Sequence, residues 1–165
     1  MIATYILVVL SLVAVGSFVL VARFGVSEVR SEKDLDARTV PIDMEIVANL
    51  LDSEQIQYVR SRLSDQEFLS FERERAKVLI EYVKRISQNA ALLVGFAHYS
   101  QAQQRDEARA DLYTLALRVR AHSIWMLLLL YCKSIWPKFS IRVDDLFGSY
   151  EKVVRSAFTH AAKAS

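Results

Sequence analysis

Between Met1 and Arg23 lie 21 consecutive uncharged residues, 2–22, dominated by Val, Leu, Ile and Ala. As a helix this run is about 31 Å long at ~1.5 Å per residue, matching the hydrocarbon core of a bilayer. In water, every side of such a helix would need an apolar partner, and the helical domain that follows is too small to wrap it. The expectation is a single transmembrane anchor over residues 1–24.

The rival reading is a cleaved signal peptide, because Ala14-Val15-Gly16 resembles a small-x-small cleavage site. Two features speak for a retained anchor: no Lys or Arg precedes the run, and it continues through Phe18, Val19, Leu20 and Val21 past that site. The flanks also set an orientation. Arg23, Arg30, Lys33 and Arg38 all follow the helix, so the domain is expected on the cytoplasmic side of the cell (inner) membrane.

Only four Gly and two Pro occur in the chain, 53% of its residues are hydrophobic, and Ala, Leu, Arg, Glu and Gln are abundant after residue 44. That composition favours long helices over the turn-rich sequence of a sandwich or barrel. The expected class is all-α: an N-terminal span followed by a helical bundle with two long antiparallel helices and shorter flanking ones.

Residues 25–40 are polar and lack apolar periodicity, so they read as a linker or a frayed extension of the anchor. The helical domain is placed at 41–165. Pro41 suits the first turn of a short helix carrying Ile42, Ile46, Val47, Leu50 and Leu51. Asp52 and Ser53 are natural caps for a second, with Ile56, Val59 and Leu63. Ser64 and Glu67 have capping-box spacing, which predicts the start of a long helix. Its stripe is Phe68, Phe71, Val78, Leu79, Tyr82, Val83, Ile86, Ala90, Leu93 and Phe96. Glu72, Arg73, Arg75, Lys84 and Arg85 fall on the opposite face, with Glu81 and Arg85 at a pairing distance of four residues.

Residues 100–105 read as a turn, with Asp106 and Glu107 suited to a new helix N-terminus. That helix is expected to run to Trp136, because Pro137 forbids its continuation. Asp144 or Asp145 opens a final amphipathic helix with Leu146, Phe147, Tyr150, Val153, Val154, Ala157 and Phe158 turned inward.

The segment 121–132 is uncharged apart from His122, too short for an easy second span and apolar all round. Trp125, Leu129, Cys132 and Trp136 share one face, with Tyr131 and Ile135 beside it. Arg118, Arg120, Lys133, Lys138 and Arg142 stand at its ends. Indole and guanidinium groups together suit a lipid headgroup boundary, so Trp125, Tyr131, Trp136, Arg118, Arg120, Lys133 and Lys138 form the candidate membrane or partner contact. The bland alternative is a central helix packed against neighbours on several sides.

Charge is uneven. Residues 118–165 hold eight Lys/Arg against three Asp/Glu, leaving 13 against 16 for the preceding residues. The basic third suits anionic lipid, an acidic partner or plain solvent.

No chemistry announces itself. His98, His122 and His160 have no metal-binding spacing, and Glu67, Glu72, Glu74 and Glu81 read as solvated ion-pair partners. No Gly-rich phosphate loop, nucleophile elbow or nucleic-acid motif occurs, and the single cysteine, Cys132, reads as a packing thiol or an acylation site. The expected role is a non-catalytic, membrane-anchored interaction, accessory or assembly subunit of a membrane protein complex. Its expected partners are the bilayer and a membrane protein, without cofactor, metal, small-molecule ligand or nucleic acid. Two alternatives stand beside it: an enzyme without a recognisable sequence motif acting on a lipid or membrane-derived substrate near Trp125, Tyr131 and Trp136, and a two-pass protein using residues 119–136 as a second span.

Overall fold

The computed structural model describes residues 31–103, 107–137 and 143–164, together with Ser11, Val15, Gly16, Val29 and Ile141. Apart from Ser11, Val15 and Gly16, which are helical and exposed, the expected anchor lies outside the described residues. The described chain is all-helical. Its elements are α1 (Glu32–Arg38), α2 (Met44–Leu51), α3 (Ser53–Arg62), α4 (Asp65–Gln103), α5 (Glu107–Ile135) and α6 (Asp144–Ala164).

Short polar side chains start these helices by accepting from amides that have no partner within the helix. Ser31 accepts from the Asp34 amide, Asp43 from those of Glu45 and Ile46, and Asp52 from those of Glu54 and Gln55. At the start of α4 the Glu67 carboxylate accepts from the Ser64 amide at 2.9 Å, and Ser64 Oγ lies 3.4 Å from the Glu67 amide. This is the reciprocal box expected from the spacing. Two boundaries differ from expectation. Residues 25–40 contain α1, whose Leu35 is buried, and Val29 before it is buried too. Pro41 lies ahead of α2 rather than within it, because the Asp43 carboxylate caps that helix.

Helices α4 and α5, of 39 and 29 residues, form the expected antiparallel pair. Near the turn, the His98 ring lies 6.4 Å from that of Tyr113, and at the far end Lys133 meets Glu72 at 2.7 Å. Ala90, Ala97 and Ala116 are fully buried, and small side chains of this kind let two helix backbones approach. Leu79, Val83, Ile86 and Leu93 from α4 join Leu112, Val119, Met126 and Leu130 from α5 and Leu146, Phe147, Tyr150 and Val153 from α6 in one core. The expected stripe and the buried face of α4 differ at four large apolar positions. Val78 is 42% exposed, while Ile80, Leu92 and Val94, outside the stripe, are buried. The later turns of α4 are covered on more than one side.

The segment 29–51 is strapped along α4 by two polar contacts. Asn89, itself buried, accepts from the Val40 amide at 2.9 Å and donates to the Val40 carbonyl at 2.8 Å. Farther along, Arg75 Nη1 donates to the Leu50 carbonyl at 3.1 Å. Asn89 also donates to Tyr150 Oη on α6 at 2.7 Å. One amide side chain therefore holds three parts of the chain in register.

Candidate functional site

The outer face of α5 changes character along its length. Toward the turn, the exposed positions Asp111, Thr114 and Arg118 are polar or charged, with Leu115 the one apolar side chain among them, at 37% exposure. From residue 125 onward, the exposed positions are Trp125, Leu128, Tyr131, Cys132 and Ile135, continued by Trp136 just past the helix end, and none is charged. Ile135 and Trp136 are 80% and 70% exposed, a degree unusual for side chains this large and apolar. Leu129, expected on this face, is half-buried, and Leu128 stands there instead.

The cations expected to rim this surface divide. Arg118 is exposed, whereas Arg120 and Lys133 turn inward, at 5% and 7% exposure. Lys138 lies outside the described residues. The reason is helical phase: Arg120 and Lys133 fall on the side of α5 that packs onto the bundle, so neither lies where a lipid headgroup would meet it.

Lys133 enters a buried charge cluster that sequence reasoning missed. Its ammonium lies 2.7 Å from Glu72 Oε2, and Arg75 brings Nη2 to the same oxygen at 3.1 Å and Nε to within 3.0 Å of Oε1. The Nε and Oε1 atoms face each other off the line that a hydrogen bond requires, so that contact is coulombic. Glu72, read from the sequence as part of a solvated face, is 4% exposed. The usable signal was Lys133 itself: a lone cation inside an apolar run must find a buried carboxylate or leave the core. One carboxylate between two cations, with the Leu50 carbonyl completing the Arg75 contacts, is a fastening for α2, α4 and α5.

Arg120 is the opposite case. Among the described residues its buried Nε and Nη1 have no hydrogen-bond partner, and burial pushes the pKa of the guanidinium below its ordinary value. Nearby, Ser123 donates to the Arg120 carbonyl at 2.8 Å, which leaves the guanidinium unaffected.

Other candidate groups fall on the surface or in ordinary packing. Glu81 pairs with Lys84 at 2.7 Å rather than with Arg85, which lies over the Tyr82 ring at 5.4 Å. The Glu81 carboxylate is the main cause holding the Lys84 ammonium above its usual pKa, and the Tyr131 hydroxyl adds a smaller contribution. Tyr131 thus marks where the exposed face of α5 borders α4. Cys132 is exposed rather than packed in the interior. Among the described residues, no group of three or more His, Cys, Asp or Glu side chains is placed to hold a metal ion.

No protein-family model matches the chain, and neither a curated protein nor a solved structure shows significant similarity to it. The site must be read from its own residues. Among those described, one helical stretch, Asp111–Ile135, is long and apolar enough by length and composition to cross a membrane, a weak indication of membrane association.

Proposed function

We propose that this chain is a non-catalytic subunit of a membrane protein complex, anchored by residues 2–22, with the exposed face of α5 as its contact surface. The observation that carries the proposal is the uncharged outer face between Trp125 and Trp136, in a domain whose buried polar groups are fastenings rather than reactive groups. Aromatic and aliphatic side chains gathered on one side of a helix are the usual core of a protein contact.

Anchor and face are separate surfaces in this reading. At the level of residues 125–136, α5 lies against the 72–84 stretch of α4, where Arg73, Glu74, Lys77 and Glu81 are exposed. Moving α5 into hydrocarbon would carry those charges with it, at a cost of several kcal/mol for each. A peripheral position for α5 avoids that cost and fits a one-pass topology, with the domain cytoplasmic on the strength of Arg23, Arg30, Lys33 and Arg38.

The test is fractionation followed by sizing. The full chain is expected in the pellet after alkaline extraction of membranes, and in mild detergent it is expected to run as a complex larger than its 18.8 kDa monomer. A chain carrying both Ile135→Lys and Trp136→Glu should stay in the pellet yet run as a monomer. Recovery of the intact chain in the alkaline supernatant, or a native monomer in detergent, would overturn the proposal.

A further inference from the structure

Among the described residues three charged side chains are buried, Glu72, Arg120 and Lys133. Glu72 and Lys133 neutralise each other at 2.7 Å, whereas Arg120 meets no acidic group there and its Nε and Nη1 are sealed from solvent without a hydrogen bond. Desolvation is the sole cause lowering the pKa of its guanidinium, as befits a charge that no carboxylate offsets. A cation so placed calls for an anion from outside the domain.

Helical phase shows which edge of α5 it occupies. Tyr113 stands seven residues before Arg120 and Tyr131 eleven after it, two and three turns away on the same strip of the helix. Both tyrosines meet α4: the Tyr113 ring lies 6.4 Å from that of His98, and the Tyr131 hydroxyl acts on the Lys84 ammonium. Arg120 therefore lies along the α4–α5 edge between those two contacts. On α4 the middle of the matching interval, Lys84 to His98, is Ala91, with Gly95 one turn nearer to His98. Residues this small leave space at the edge that larger side chains would fill. The carboxylate next along α4, that of Glu81, is engaged by Lys84 at 2.7 Å.

We propose that this edge is a binding site for a small phosphate group, gripped by the Arg120 guanidinium and rimmed by Tyr113 and His98. The inference stands apart from the reading of Trp125 and Trp136, which lie on another side of α5. A guanidinium grips an oxyanion with two N–H groups along one edge, and both such edges include Nη2, which is not one of the sealed nitrogens. Long helical side chains lean toward the helix N-terminus, which carries Arg120 toward Tyr113. His98 is exposed and Tyr113 half-buried, so a hydroxyl and a ring N–H stand at the mouth as further donors. Two donors from the guanidinium, one from Tyr113 and one from His98 exceed what the two oxygens of a carboxylate use and suit the four of phosphate. The inward position of Arg120 keeps a bilayer headgroup away and admits a small solute, either inorganic phosphate or a soluble phosphomonoester.

The test uses the full chain in a neutral detergent, melted at constant ionic strength while inorganic phosphate replaces chloride. Phosphate strengthens apolar burial in any protein, so the readout is the difference between the native chain and Arg120→Met. In chloride the variant should melt higher, because it lacks the unpaired cation. Phosphate should then raise the native chain by at least about 3 °C more than the variant, and the excess should saturate. Arg120→Lys keeps the charge but loses the fork, and should bind phosphate at least about tenfold more weakly by calorimetry. His98→Gln and Tyr113→Phe, at positions open to solvent or half so, should each weaken it roughly two- to tenfold. An equal response of the native chain and Arg120→Met overturns the inference. So does acetate matching phosphate, which would make the site a receptor for a partner's carboxylate. A response to phosphatidic acid in the micelle without one to inorganic phosphate overturns it as well, in favour of a lipid headgroup.

Discussion

Asn89 Nδ2 donates to Tyr150 Oη at 2.7 Å, and the same side chain closes a two-bond ring with the backbone of Val40. A buried amide serving three partners is costly to lose, because truncation strands the groups it served. Asn89→Ala should destabilise the domain by roughly 2–4 kcal/mol, whereas Tyr150→Phe should cost only about 0.5–1.5 kcal/mol. Urea melts of both variants check the ratio, and equal losses would show that the Val40 contacts contribute little.

Burial raises the pKa of Tyr150, and the Asn89 hydrogen bond offsets only part of that shift. The neutral phenol is therefore favoured in the folded chain. Its share of the stability is complete below the unfolded-state value of 10.0 and is lost as pH rises from there through the folded value, because the unfolded chain gives up its proton first. Tyr150→Phe should flatten this part of the alkaline stability profile, as read by thermal melts on either side of pH 10.

Glu72 holds Lys133 and Arg75 together in the interior. Removing the carboxylate leaves two cations facing each other out of water, so Glu72→Gln should cost roughly 3–5 kcal/mol. Lys133→Met should cost clearly less, because Arg75 still pairs with the carboxylate. Chemical denaturation of the two variants decides this order.

Arg120 predicts a gain. Its buried Nε and Nη1 have no hydrogen-bond partner among the described residues, and replacing a buried cation so placed with an apolar chain of similar volume removes a desolvation cost. Arg120→Met should raise stability by about 1–3 kcal/mol, visible as a higher melting temperature. A lower melting temperature would mean that the guanidinium is satisfied in the assembled protein.

Ser64 and Glu67 predict a pH-dependent helix start. Hydrogen bonds from the Ser64 hydroxyl first, and its backbone second, hold the Glu67 carboxyl below its usual pKa. Its contribution is present above the unfolded-state value of 4.5 and is lost as pH falls through the folded value. Glu67→Gln should remove this part of the acid sensitivity, measured as melting temperature between about pH 6 and about pH 3.

Much of the fold could be read in the sequence because its signals are local. The Ser64-to-Glu67 spacing, the Asp52 break, Pro137 after α5 and Asp144 at the start of α6 act within a turn or two of chain, and each acts where the spacing placed it. The polar interior is different. Glu72 sits among Arg and Lys in the sequence and would be solvated on a lone helix. Only the far end of α5, some 60 residues on, buries it by bringing Lys133 across. The exposed apolar side of α5 was half legible: Trp125, Tyr131 and Trp136 are exposed as their sequence context suggested, while Arg120 and Lys133 belong to the other side of the same helix. An apolar run without periodicity does not say which of its sides meets the bundle. The phase was set by α4 and α6.

The Val40 ring on Asn89 also bears on mechanics. If the N-terminal end of the chain is fixed in a bilayer while a partner pulls on the domain, tension passes down the backbone and reaches this pair of hydrogen bonds before it can reach α2 or α3. The load is then handed sideways to the middle of the longest helix and, through Tyr150, to α6. The short helices beyond residue 43 sit in the lee of that junction, so the segment that would peel first under force is the one preceding Val40.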